Sequence, residues 1–413
     1  MTPATAGAGA ALRIALFTYS TKPRGGVIHT LALAEHLQEL GHAVQIFALG
    51  KDQTGFFRPT TVPFTLIPIG VLPDDIALDE RITHYIQAYY DFLIAHESEP
   101  FDIYHAQDCV SANALWRVRA EGRIPAFVRT VHHVDDFVSP TLVQCQNDSI
   151  YRPDQRIVVS RYWQRRLQAE FGVASEVIYN GVDPQRFHPP GTGERDAART
   201  ALDLGDAFVV LNIGGVEPRK NTVRLLRAFE RLTRELERMG RASILLLPGG
   251  ETLLDHTPYR QEFLVALDAS GLATGERSDV RLMGVVADEQ VPALYHAADM
   301  LAFPSVKEGW GLAVLEALAS DLPVLASDLP VFREYLRHED NALLVDPLDE
   351  AAIAAGMVRL AQDEDTRRRL AAAGRETARQ FSWHATAQAH VACYRRWLSQ
   401  QPRVGGYCGH DTE

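Results

Sequence analysis

Residues Phe303–Ala326 read FPSVKEGWGLAVLEALASDLPVLA. An apolar strand runs to about Pro304, and a glycine-bearing turn then carries Glu308, Gly309 and Gly311. A helix starts near Leu312, and the apolar run at Pro323–Ala326 is the next strand. Glu308 and Glu316 have seven residues between them. On one continuous helix they would sit about 80° apart at about 100° per residue. The glycines on either side of Trp310 argue against one helix. The better reading puts Glu308 in the turn and Glu316 about one turn inside the helix. The backbone between them ends in a helix N-terminus, whose free N–H groups and positive dipole end attract an anion.

The same strand–turn–helix rhythm extends in both directions. Upstream, RIALFTY (Arg13–Tyr19) leads through a loop with Gly25 and Gly26 into VIHTLALAEHLQEL, which stops at the cap glycine Gly41 before the strand HAVQIFAL. The alternation continues through FDIYHAQ, AFVRTVHH, RIVVSRYWQRRLQAEF and SEVIYNGVD. HPPGTGE (His188–Glu194) is the best linker candidate. After it come FVVLNIGG, a helix from about Val223, SILLLPGG, VRLMGVV and a helix from about Glu289. Near-continuous apolar strands between amphipathic helices are buried parallel strands. The expectation is α/β, with two Rossmann-like doubly wound domains facing across a cleft. Residues 1–11 are a disordered leader, whose Gly7-x-Gly9 has no strand before it. Residues 12–187 form the N-terminal domain and 188–383 the C-terminal domain. Residues 384–413 hold a last helix, about Ala387–Leu398, and a tail, and the helix can pack back on the N-domain.

With 413 residues, two domains are the default. Forty-one basic against 53 acidic residues give a net charge of −12, a poor match for duplex nucleic acid. No stretch approaches the ~20 apolar residues of a membrane span, and the N-terminus has no secretory-signal pattern. Cys109, Cys145, Cys393 and Cys408 show no C-x-x-C spacing. This argues against a zinc site or disulfide framework and for a reducing, cytoplasmic setting. Arg161, Arg165 and Arg166 share a helix side and read as a solvated face; peripheral contact with anionic lipid has no further support. The D-x-D at Asp363–Asp365 reads as a charged helix surface, so no metal ligand is assigned.

An anion at the Gly309–Leu312 tip needs cations opposite. Arg219 and Lys220, in NIGGVEPRKN, follow the first strand of the second domain. In doubly wound sheets, ligands sit beyond the carboxyl ends of the strands, where both segments lie. Carboxylates for hydroxyls, with cations and a helix tip for phosphates, describe a pocket for a nucleotide-sugar.

At these residues the chain resembles the retaining glycosyltransferases of family 4, the group 1 transferases of GT-B fold. EGWGLAVLE carries the resemblance most strongly. Gly25-Gly26, TVH at Thr130–His132, VIYNGVD at Val177–Asp183, EPRKN at Glu217–Asn221 and LMGVV at Leu282–Val286 support it. The resemblance implies that Glu308 faces the donor-sugar hydroxyls and that backbone N–H groups of Gly309, Trp310, Gly311 and Leu312 hold the distal phosphate. Trp310 is also weighed as an acceptor contact or a packing aromatic. Glu316 takes the ribose hydroxyls, and Arg219 and Lys220 neutralise the leaving diphosphate. His132, or its neighbour His133, reaches the sugar near the reacting carbon. Gly25 and Gly26 admit backbone to phosphates and acceptor, and backbone at Gly284 and Val285 meets the base. Two positions depart from the family. Gly214-Gly215 stands where G-R is usual, which leaves the charge to Arg219, and Asp321 replaces a turn glycine.

No carboxylate is an obvious glycosyl-bound nucleophile. The expected chemistry is therefore metal-free transfer from a nucleoside-diphosphate sugar to an acceptor hydroxyl with retention, needing no cofactor beyond the donor itself. The acceptor, whether sugar, glycolipid or small molecule, is set by loops such as Gly55–Asp79. A nucleotide-sugar epimerase or hydrolase on the same fold is the alternative. A glycosidase using Glu308 and Glu316 leaves the cations unexplained, and a non-catalytic module leaves the whole charge set unexplained. A dinucleotide oxidoreductase lacks its glycine fingerprint.

Overall fold

The computed structural model describes residues 10–50, 55–73, 76–96, 100–250, 257–273 and 279–400. Residues 1–9 of the expected leader, and Cys408, lie outside the described residues. The chain divides into two compact units. The first takes in 1–158, 167–178 and 384–413; the second takes in 159–166 and 179–383. The chain thus changes unit after Ile178, ahead of the Pro/Gly-rich stretch at His188–Glu194.

In the first unit the strands are β1 (Arg13–Thr18), β2 (Ala43–Gly50), β3 (Phe64–Pro68), β4 (Ile103–Ala106), β5 (Val128–Val131), β6 (Gln155–Val158) and β7 (Glu176–Val177). They form one parallel sheet ordered β3-β2-β1-β4-β5-β6-β7. The strand order reverses between β1 and β4, which are hydrogen-bonded neighbours. β1 and β4 are almost wholly buried because crossover helices cover both faces. The last helix, Trp383–Gln400, adds Ala387, Val391, Tyr394 and Trp397 to the core around Ile14, Leu31 and Ile103.

The second unit repeats the plan with β8 (Phe208–Leu211), β9 (Ser243–Pro248), β10 (Val280–Gly284), β11 (Met300–Phe303), β12 (Val324–Ser327) and β13 (Leu343–Val345). The order is β10-β9-β8-β11-β12-β13, again parallel throughout. Its switch point lies between β8 and β11. There Asn212, fully buried, donates from Nδ2 to the Ala302 carbonyl at 2.7 Å. This clamps the carboxyl ends of the two strands from which the candidate site grows. Both sheets are of the doubly wound α/β type.

Two local expectations change. Gly25 and Gly26 lie in the first turn of the helix Gly25–Glu39, not in the loop before it. Asp321, where a glycine was the usual residue, still makes the tight turn: it adopts φ 59°, a left-handed conformation that aspartate tolerates better than most residues.

Candidate active site

β11 ends at Phe303, and the chain turns through Pro304–Gly311 before the helix Leu312–Ala319. Gly311 is the N-cap, with φ 93° and no side-chain cap on the N–H groups behind it. A Cβ at Gly311 would stand 2.5 Å from Phe332 Cε1 and 3.1 Å from the Tyr335 hydroxyl. Glycine is required there on both counts, by conformation and by space. The result is a helix tip of bare backbone at the switch point of the sheet.

Glu308 sits in this turn, 7% exposed. Its Oε1 accepts from Lys220 Nζ at 2.9 Å and lies 2.9 Å from Arg219 Nη1. Trp163, fully buried, donates from its indole N–H to the Glu308 carbonyl at 3.0 Å and fixes the turn from behind. Burial works against the Glu308 charge, but Arg219 and Lys220 outweigh it and hold the carboxyl at about 2. Burial lowers Lys220 from the ordinary lysine range, and Glu308 opposes that shift. The ammonium also lies 4.3 Å from the centre of the Phe303 ring, a cation–π contact.

Arg219 and Lys220 come from a short turn, Pro218–Lys220, after β8. Asn221 follows at φ 59° and donates from Nδ2 to the carbonyls of Pro304 (3.0 Å) and Pro347 (2.6 Å). The Val306 N–H donates to the Arg219 carbonyl at 2.9 Å. Cations and acid are thus tied together by backbone as well as by charge. The glycines before them make room. Gly214 has φ 130°, and a Cβ there would strike Lys220 Cε at 2.5 Å. Gly215 has φ 74° with a carbonyl 3.2 Å from its notional Cβ. An arginine at 215 would be strained.

Glu316, one turn into the helix, accepts from the Tyr295 hydroxyl at 2.5 Å. Burial raises its pKa; Tyr295 and Arg186 pull the other way. Arg186 in turn pairs with Asp288 at 2.7 Å.

Of the two readings of the Trp310 side chain, its surroundings favour packing. Its indole is 2% exposed and stacks on Tyr179 at 4.6 Å, with Tyr335 and Phe381 close by. Its ring packs in the core, with the buried indole N–H left without a hydrogen-bond partner. Gly284 ends β10 at φ 64° and accepts from the Gly249 N–H at 2.7 Å, while Val285 beside it is 64% exposed. Asp363 of the D-x-D caps a helix by accepting from the Thr366 N–H.

In the first unit, a Cβ on Gly26 would lie 3.7 Å from His132 Cδ2, so this helix turn and the imidazole are in reach of each other. A Cβ on Gly25 would meet open space. His133 turns to Asp135 at 3.2 Å, which separates the two neighbouring histidines. His132 Nε2 is buried with no hydrogen-bond partner, and burial, with His133 and Arg129, lowers its pKa to about 3. His29 stands 4.7 Å from it, ring to ring; His390 stands 5.9 Å from His29 and 5.8 Å from His105. Two further residues of this unit, not singled out in the sequence, carry open polar atoms. Gln107, after β4, is 3% exposed, and neither side-chain polar atom has a partner. Arg129, in β5, is 5% exposed, with Nε and Nη1 likewise unpartnered. Buried polar atoms left open in this way mark places for water or ligand. Gln107 follows β4 and Arg129 lies within β5, and no spacing in the sequence sets either apart from its polar neighbours.

Among the described residues no helix is long and apolar enough to cross a membrane, and Cys109, Cys145 and Cys393 are free thiols.

Comparison with known proteins follows the same division. A family model described as glycosyl transferases group 1 matches residues 194–377, and one described as glycosyltransferase family 4 matches 23–186. An uncharacterized glycosyltransferase of Methanocaldococcus jannaschii is 25% identical over 93% of this chain and 98% of its own. The D-inositol 3-phosphate glycosyltransferase of Geodermatophilus obscurus is 30% identical over 72% of this chain and 67% of its own. Among solved structures, sucrose-phosphate synthase from Thermosynechococcus elongatus superposes with a TM-score of 0.76 at 23% identity, covering 94% of this chain and 100% of that one. Anabaena HepE, solved with UDP and glucose, gives 0.73 at 19% identity, covering 94% and 100%. The fold is that of the GT-B enzymes.

Proposed function

This chain belongs to the group 1 glycosyltransferases of family 4, and from that premise we propose that it moves a sugar from a nucleoside-diphosphate donor to an acceptor hydroxyl with retention and without a metal ion in the reaction. The observation that carries this reading is the convergence of Arg219, Lys220 and Glu308 at the bare tip of the helix Leu312–Ala319. Breaking the donor's C1–O bond places negative charge on the leaving phosphate. Fixed cations and N–H groups aimed there need no reorganisation as the charge grows. The acceptor oxygen forms its bond to C1 on the same face, and its proton passes to the departing phosphate oxygen.

The four charges around Glu308 balance: Arg219 and Lys220 are positive, Glu217 (3.6 Å from Arg219) and Glu308 negative. A diphosphate entering this cluster takes over the cations, and Glu308 is freed to accept from sugar hydroxyls. Glu316, already presented by Tyr295, accepts from the ribose. Acceptor recognition falls to the first unit, where His132, Gln107 and Arg129 offer open polar atoms. His132 is uncharged there and acts as a hydrogen-bonding group. A UDP-sugar is the first donor to try, since the HepE structure holds UDP and glucose. A cytoplasmic setting fits the free thiols.

A thermal-shift screen over nucleotide-sugars tests the donor. The right donor raises Tm because it binds the folded state alone. Product anomers from that donor then test retention: an inverted linkage refutes it. Turnover that rises steeply with added acceptor favours transfer; turnover indifferent to acceptor favours the hydrolase or epimerase alternative.

A further inference from the structure

A second polar cluster in the second unit takes no part in the chemistry above. His188, Glu194 and His296 each bring one ligand atom to a common point, all within 4.8 Å of one another. His296 Nδ1 lies 3.7 Å from Glu194 Oε2. The other faces of the rings are occupied in a specific way. His296 Nε2 lies 2.9 Å from the His188 carbonyl, and His188 Nδ1 lies 2.9 Å from the Pro189 carbonyl. A ring nitrogen facing a carbonyl carries the proton, which leaves His296 Nδ1 and His188 Nε2 as lone pairs. Carbonyl-oriented imidazoles of this kind are the usual outer support of metal-ligating histidines. Glu194 is oriented too: its Oε2 accepts from the Gly191 N–H at 2.8 Å.

We propose that His188, Glu194 and His296 bind a divalent transition-metal ion of the zinc class. Two neutral imidazoles and a carboxylate, with water as the fourth ligand, suit a tetrahedral ion with bonds of about 2.0–2.2 Å, which sets ligand atoms roughly 3.3–3.6 Å apart. The 3.7 Å pair is close to that spacing already. His296 is 7% exposed, and Glu194, exposed and held to Gly191 by one oxygen, closes the remaining gap by turning its carboxylate. The ion staples the Pro/Gly-rich stretch His188–Glu194 to the helix Val291–Ala297. Tyr295 on that helix holds Glu316, so the ion steadies the ribose acid from outside the reaction.

The test strips the full chain with chelator, reloads it with Zn²⁺, and measures bound metal after equilibrium dialysis, with Co²⁺ substitution as a spectroscopic reporter. The expected result is one ion per chain with tetrahedral Co²⁺ absorption. H188A and E194Q, both altering residues that are not core, each weaken binding by at least about 10-fold while circular dichroism is unchanged. A wild-type chain that retains no ion overturns the proposal. So does full retention by both variants, which would move the ion elsewhere, for example to Cys408 and His410.

Discussion

Lys220 Nζ and Glu308 Oε1 are 2.9 Å apart, with both side chains largely buried and Arg219 on the same oxygen. In the proposed reaction the acid keeps the cations in place until a phosphate replaces it. On that reading Lys220→Ala removes the donor to the leaving phosphate. It lowers kcat by about 10²–10³-fold, the usual cost of losing one transition-state charge partner. Steady-state kinetics with the identified donor checks this, and near-normal turnover contradicts it.

Glu316 is predicted to be a costly residue kept for binding. Burial raises its pKa, so the fold favours its protonated form, and stability falls as pH rises through the range in which this carboxyl ionises. Glu316→Gln keeps an acceptor for the Tyr295 hydroxyl and removes the titrating group. Its Tm at pH 7.5 rises or holds while KM for the donor rises. A fall in both Tm and donor affinity would point to a structural role instead.

Gly311 and Gly25 are predicted to respond oppositely to alanine. At Gly311 the added Cβ meets Phe332 at 2.5 Å and φ is 93°, so Gly311→Ala costs about 2 kcal/mol or more of stability. At Gly25 the Cβ enters open space, and Gly25→Ala changes stability by about 0.5 kcal/mol or less. A rise in KM at Gly25 with Tm unchanged would then read directly as ligand contact. Denaturant midpoints and kinetics separate the two.

Acid should loosen the first unit. Burial lowers His105 well below the ordinary range of 6.5, His390 to about 4 and His132 to about 3. These rings are neutral in the fold, whereas the unfolded chain takes up protons as pH falls through 6.5. The stability they contribute is complete above pH 6.5 and is lost progressively toward pH 4. For His390 alone the loss is roughly 3 kcal/mol at about 1.4 kcal/mol per pKa unit. Urea midpoints at pH 7.5 and 5 check it: His390→Gln flattens the slope. An unaltered slope would remove the histidines from the account.

The elements that build the site were legible where local pattern decides them. Phe303, the Gly311 cap and the helix from Leu312 follow from an apolar strand, a glycine and a 3.6-residue period within one short segment. Long-range partnerships left no mark. Trp163 reaches Glu308 across 145 positions, and His296 meets His188 across 108. His188, Glu194 and His296, split between a linker and a distant helix, have no spacing to read. Gly25 and Gly26 open the helix Gly25–Glu39; in the first turn, where N–H groups are free anyway, the helix cost of glycine is small. Trp310 lay between two glycines, and only the fold reveals Tyr179, Tyr335 and Phe381 around it.

If a diphosphate docks on the tip of the helix Leu312–Ala319 against Arg219 and Lys220, calorimetric titration of UDP and of uridine into wild type, Arg219→Ala and Lys220→Ala reveals it. Each variant then weakens UDP by about 10–100-fold, the equivalent of one charged hydrogen bond, and leaves uridine unchanged. UDP binding the variants as tightly as wild type would contradict it.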